Sequence, residues 1–211
     1  MMAVGETDVS ICNAALALLG AEGLTSFSDG SAQASICSTL YSKVKEVTIG
    51  MYRWSWSIKK LQLVQDNTTP VNEWTYQYTL PNDILNNVPL AAYTSSSPGN
   101  AVFKNWEINM GSDGTAKLMT GSQTIYIDYQ KAIEESLMPS YFTQLLIYQL
   151  AWHLAEPITD QLTKAEYWRN IALGAPSENN RGGYFRTSIS MDSQGSNQNT
   201  IINDYSLTDV R

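Results

Sequence analysis

Trp74-Thr75-Tyr76-Gln77-Tyr78-Thr79-Leu80 alternates an aromatic or apolar residue with a polar one at every step. Successive side chains of a strand point to opposite faces, so this stretch reads as a half-buried strand. The apolar residues of an amphipathic helix would instead recur every three to four positions. Pro81 follows at once and, lacking an N–H, cannot extend a sheet ladder. The period of 2 begins weakly at Leu61 and Leu63, past Trp54 and Trp56, and returns at Trp106, Ile108, Met110 and at Ile125, Ile127, Tyr129. Gly111-Ser112-Asp113-Gly114 supplies turn chemistry ahead of Lys117 to Met119, and Ser95-Ser96-Ser97-Pro98-Gly99-Asn100 reads as a loop. The middle of the chain is therefore expected to be an antiparallel sheet with one solvated face.

Upstream the period is helical. Ile11, Ala15, Leu18 and Leu19 share a face, Thr7 or Asp8 is placed to cap it, and Gly20 to stop it. Ser31 can cap a second helix with the stripe Ile36, Leu40, Val44, Val47, Met51, and the short loop between the two implies antiparallel packing. Cys12 and Cys37 fall inside these patterns as small, reduced packing residues rather than as a disulfide or zinc pair. Downstream, Phe142 through Ala155 is apolar nearly all round, which implies burial on several sides. Pro157 is expected to break or kink that helix, and a fourth follows with Leu162, Ala165, Trp168 and Ala172 on one side and Gly174 as its stop. The expected fold is α+β: an antiparallel α-helical bundle of two N-terminal and two C-terminal helices (residues 1–57 and 138–174), an inserted antiparallel β domain (58–137) and an extended C-terminal arm (175–211).

The arm is polar, with scattered anchors at Tyr184, Phe185, Ile189, Ile201, Ile202, Tyr205 and Leu207. Ordering a backbone costs roughly 1 to 2 kcal/mol per residue, so such a segment is either disordered or held by a partner. The spaced aromatic and β-branched residues favour docking, and Tyr184, Phe185, Ile201, Ile202 and Tyr205 are the docking residues expected.

Composition narrows the function. The chain has 211 residues, 43% of them hydrophobic, and a formal net charge of −7. Its Lys and Arg residues are scattered along the sequence, which argues against a grip on DNA phosphates. No run of about 18 apolar residues exists, and Glu6 and Asp8 stand where a secretory signal needs a basic, then apolar, start, so no membrane insertion or export is expected. The sequon Asn67-Thr68-Thr69 carries little weight without export. His153 is the single histidine, which excludes a two-histidine metal site within the chain, and among Leu150, Trp152 and Leu154 it reads as a packed imidazole rather than the base of a triad. No catalytic residue, metal site or cofactor is expected. The enzymatic alternative is a virion-associated cell-wall or polysaccharide hydrolase working through paired carboxylates, with Glu134, Glu135, Asp128 and Glu156 as candidates. Glu134-Glu135 also sits just before a helix, where negative charge suits the helix dipole.

In order along residues 8–175, the motifs resemble one family. Ala14-Ala15-Leu16-Ala17-Leu18-Leu19-Gly20 and Ser26-Phe27-Ser28-Asp29 are similar to its opening helix and aspartate-bearing turn. Cys37, Tyr41 and Trp54-Ser55-Trp56 are similar to its second helix and the exit from it. Tyr76-Gln77-Tyr78-Thr79-Leu80-Pro81-Asn82-Asp83 and Leu150-Ala151-Trp152-His153-Leu154-Ala155 resemble its strand-turn and its "LA-x-x-LA" helix. The family is tail tubular protein A, the head-to-tail adaptor (connector) of T7-like short-tailed bacteriophages. The resemblance implies a non-enzymatic structural virion protein, made in the host bacterial cytoplasm, that forms a dodecameric homo-oligomeric ring in the tail neck. It also implies portal binding above, a tail nozzle protein below, and a channel through which dsDNA passes during genome ejection without specific binding. An acidic bore would repel DNA within a Debye length of about 8 Å.

Overall fold

The structure, a computed structural model, describes residues 5–70, 72–97, 101–111 and 113–194. Its helices are α1 (Asp8–Leu19), α2 (Ala32–Gly50), α3 (Ser140–Thr159), α4 (Leu162–Leu173) and α5 (Gly183–Ser193). Its strands are β1 (Ile58–Gln62), β2 (Tyr76–Thr79), β3 (Ala91–Tyr93), β4 (Trp106–Met110), β5 (Ala116–Thr120) and β6 (Tyr126–Gln130). The fold is α+β. The described residues group into two units, one drawn from Met1–Tyr41 and Pro139–Arg211, the other from Ser42–Met138. The division thus lies within α2 rather than at residues 57/58, and α5 groups with the other helices.

In the helical unit, α1 opens on a reciprocal cap: the Ser10 amide donates to the Thr7 hydroxyl (3.1 Å) and the Thr7 amide to the Ser10 hydroxyl (2.8 Å). Gly20 closes the helix in the left-handed region, φ 74°. Its buried face is Ile11, Cys12, Ala15, Leu16 and Leu19, while Leu18 is exposed, which corrects the stripe expected there. Ser31 caps α2 as expected, accepting from the Ala34 amide at 3.1 Å. The buried positions of α2 are Ala34, Cys37, Tyr41, Val44, Thr48 and Ile49, so the expected stripe is rotated and Val47 faces solvent. Thr48 can turn inward because its hydroxyl donates to the Val44 carbonyl at 2.6 Å. Cys12 and Cys37 are free and buried. The hydrogen bond with Cys37, then burial, push the Cys12 thiol up.

Helix α3 meets α1, α4 and α5. Its buried set, including Phe142, Leu145, Leu146, Leu150, Ala151, Leu154 and Ala155, spans most of its circumference, and both Leu-Ala pairs of the "LA-x-x-LA" motif are inside. Pro157 does not break it. The helix runs to Thr159 and stops at Asp160, φ 52°, because a proline one turn from the end forfeits only a single internal donor.

In the β unit, two three-stranded antiparallel sheets form, ordered β1-β6-β3 and β2-β5-β4, where a single sheet was expected. They share one core of Leu63, Tyr78, Leu80, Ile84, Ala92, Leu118, Ile125, Ile127 and Tyr129. Strand β3, Ala91–Tyr93, is too short to show a period in sequence. Gly114, φ 76°, and a Gly111 amide donating to the Thr115 carbonyl at 2.8 Å close the β4–β5 turn. Ser112, and Pro98 to Asn100 of the serine-rich loop, lie outside the described residues.

Candidate functional site

The expected arm divides in two. Residues 176–193 fold onto their own chain, so an extended arm starting at residue 175 is corrected. The device is a glycine notch: a Cβ on Gly183 (φ 54°) would come within 2.6 Å of the Gly174 amide nitrogen and the Ile171 carbonyl oxygen. Glycine alone permits that approach, and the Gly182 amide then donates to the Leu173 carbonyl at 2.8 Å. Beyond the notch, α5 buries Phe185, Ser188 and Asp192 at helical spacing. The Tyr141 hydroxyl of α3 donates to the Asp192 carboxylate at 2.7 Å, and Tyr184 meets the edge of Tyr148 with ring centroids 5.4 Å apart. Tyr184 and Phe185 thus anchor α5 internally. Ile201, Ile202 and Tyr205 lie outside the described residues.

The four candidate acids do not share one environment. Glu135 pairs with Lys45 at 2.7 Å. Asp128 is buried on β6 and faces Lys60 at 3.4 Å and Arg53 at 3.8 Å. Glu134 and Glu156 are exposed. His153 stacks on Trp152, centroids 4.1 Å apart, and burial lowers its pKa. Among the described residues no group of three His, Cys, Asp or Glu side chains is arranged to hold a metal, and no helix is long and apolar enough to cross a membrane.

The site that emerges instead is strand β1, which the sequence marked only as a weak period at Leu61 and Leu63 and whose lysines were given no role. Register pairs Lys59 with Tyr129 and Lys60 with Asp128 on β6. Lys60 and Arg53 converge on Asp128 on one face of the sheet. On the other face Lys59 (3.9 Å) and Lys131 (3.5 Å) converge on Asp83, whose carboxylate also accepts from the Tyr129 hydroxyl at 2.9 Å. Burial opposes ionisation of Asp83, yet Tyr129, Lys59 and Lys131 hold its carboxyl below the ordinary range; burial and Asp83 push Tyr129 up to about 12. The terminal aspartate of the Leu80-Pro81-Asn82-Asp83 turn thereby has a structural role, as a latch between that turn and β6.

Four cations therefore face two carboxylates, giving a locally positive strand in an acidic protein. Four of the five β1 residues are exposed, Leu61 among them, and Val64 just beyond is 80% exposed. A groove of about 370 Å³ runs beside the strand, lined in part by Leu61, Leu63, Val64, Leu80 and Pro81. Arg53, Lys59 and Lys60 lie within eight residues of one another and were a local signal; Lys131 is remote in sequence, and the pairing of β6 with β1 brings it to them. An exposed strand with an apolar groove and unbalanced charge is suited to binding an extended, acidic segment. No protein-family model and no curated protein matches this sequence.

Proposed function

We propose that this chain is a structural subunit of a head-to-tail adaptor ring in the neck of a short-tailed phage virion, joining the portal to the tail nozzle and lining part of the DNA ejection channel. Its work is assembly, through an α-helical bundle that carries an inserted β domain, and it catalyses no reaction. The observation that supports this most is β1, a strand left exposed beside an apolar groove and a cluster of cations. An edge of this kind is a liability in a solitary enzyme and an asset in a subunit that closes heterologous contacts. The motif order along residues 8–175 supplies the particular assembly.

The test is electron microscopy of the purified protein with and without portal, and of mature particles. Ring density at the neck is the expected result; a neck without this chain overturns the reading. The runner-up, a hydrolase, predicts clearing on a peptidoglycan zymogram that is lost in Glu134→Gln or Glu135→Gln. The adaptor reading predicts no clearing from any of the three proteins, in keeping with a Glu135 already committed to Lys45.

A further inference from the structure

We infer that residues 201–207 of one copy add as a strand to the open edge of β1 in a second copy, an inference that rests on the reading of the chain as an assembly subunit. The edge is defined by hydrogen bonds. The Lys131 amide donates to the Ser57 carbonyl and the Leu63 amide to the Ile125 carbonyl, both at 2.9 Å. In an antiparallel ladder such bonded residues alternate with unbonded ones, so Ser57, Lys59, Leu61 and Leu63 face β6. Ile58, Lys60 and Gln62 direct their amides and carbonyls the other way.

The remaining edges suit a strand less well. Beside β3, the Phe103 amide donates to the Ala92 carbonyl at 2.8 Å. Against β2, the Asp66 amide donates to the Gln77 carbonyl at 2.9 Å, next to a bridge between Gln65 and Tyr78. Strand β4 carries exposed Glu107, the wrong charge for an acidic partner.

The occupant is written in the sequence. Ile201, Asn203, Tyr205 and Leu207 share one parity, and Ile202, Asp204 and Ser206 the other. On β1, Leu61 shares the parity of Leu63, while Lys60 shares that of Gln62 and Val64, and residues of both parities line the groove. Matching parities sets Tyr205 and Leu207 on the side of Leu61 and sets Asp204 beside Lys60, an opposite-charge neighbour across strands. The six residues between Gln194 and Ile201 span at most about 20 Å, which gives the segment a leash toward a neighbour. Handing a tail to the next copy is a heterologous contact, and such contacts close into rings.

Sedimentation velocity of the full chain tests this with Gln62→Pro, Tyr205→Pro and their equimolar mixture. Gln62 directs its amide away from β6, so proline there removes a donor for the added strand and spares the existing ladder. Wild type is expected to self-associate and each variant to sediment as a monomer. The mixture is expected to form a one-to-one pair, the Tyr205→Pro copy lending its edge and the Gln62→Pro copy its tail. As a variant that leaves β1 untouched, Asp204→Lys should weaken association about tenfold, less so in high salt. A wild type that stays monomeric, proline variants that assemble normally, or a mixture without the pair each overturn the inference. So does a monomer whose Lys60 and Gln62 amides are protected from hydrogen exchange, since the tail then pairs in its own chain. A neck ring whose assembly ignores these substitutions sinks this inference alone; tail pairing by a protein missing from the neck sinks the adaptor reading alone.

Discussion

Helix α5 and strand β1 exchange the fates their sequences suggest. The first, Gly-Tyr-Phe-Arg-Thr-Ser-Ile-Ser-Met-Asp-Ser, is polar and lies in what reads as a loose tail, yet Ser188 and Asp192 are buried. The second ends in Leu61 and Gln62 beside Leu63 and Val64, yet stays exposed. What decides is whether polar atoms find partners. Ser188 donates to the Tyr184 carbonyl at 3.0 Å and Asp192 accepts from Tyr141, so little desolvation cost remains. Among the described residues β1 pairs with β6 alone, and four of its five residues are exposed.

The sharpest way to break this contrast is truncation. Phe185→Ala, at a side chain 3% exposed, should cost about 3 to 5 kcal/mol in urea unfolding, whereas Leu61→Ala should cost under about 1. Equal losses would mean that α5 does not hold the helical unit together, or that β1 is covered in solution. Deleting everything after residue 175, which an extended arm would tolerate, should fail for the same reason, because Phe185 goes with it.

A smaller effect is expected at the polar contact. Tyr141→Phe takes a donor from a buried carboxylate and should cost about 1.5 to 3 kcal/mol. Burial and the bond to Asp192 raise the Tyr141 pKa. The folded state then keeps a proton that the unfolded chain releases near pH 10. The stabilisation is therefore full below that pH and falls as pH rises through the folded value, so Tyr141→Phe should flatten the alkaline limb of a stability–pH curve. An unchanged limb would show that Asp192 does not depend on this hydroxyl.

How much of this was legible follows from the same physics. Caps depend on one or two residues, so Ser31 and Gly20 were readable, as were strands where aromatic residues alternate at Trp74 to Leu80. The face of α2 was misread because its buried stripe uses Ala34, Cys37 and Thr48, which carry weak hydrophobic signal against Ile36 and Leu40. Helix α5 was hidden because Ser188 and Asp192 become core residues only once Tyr141 and the Tyr184 carbonyl are beside them; Gly182-Gly183 with Phe185, Ser188 and Asp192 at helical spacing was the available signal. The cationic strand was only partly hidden: Arg53, Lys59 and Lys60 stand close together in the sequence, whereas Lys131 and the carboxylates they face come beside β1 only in the fold.

The smallest expected effect compares the two units directly. Asp29, in the turn before α2, accepts from the Ser31 hydroxyl (2.6 Å) and amide (2.9 Å) and from the Thr25 amide (3.1 Å), bonds that hold its pKa down to about 2. Asp113, in the β4–β5 turn, accepts from the Thr115 amide and pairs with Lys117 at 3.0 Å, and also falls to about 2. Unfolded aspartates titrate near 3.9, so both turns gain stability above that pH and lose it as pH falls through about 2. Both carboxylates are screened by solvent, so the change should be slight in global unfolding and clear in carboxyl chemical shifts. Salt separates them. Asp29 is held by neutral donors, and its midpoint should stay put in high salt; Asp113 also leans on a lysine, and its midpoint should climb. If both midpoints move together, the Asp29 turn depends on unseen charge, and the helical and β units are not closed by the different chemistry their hydrogen bonds describe.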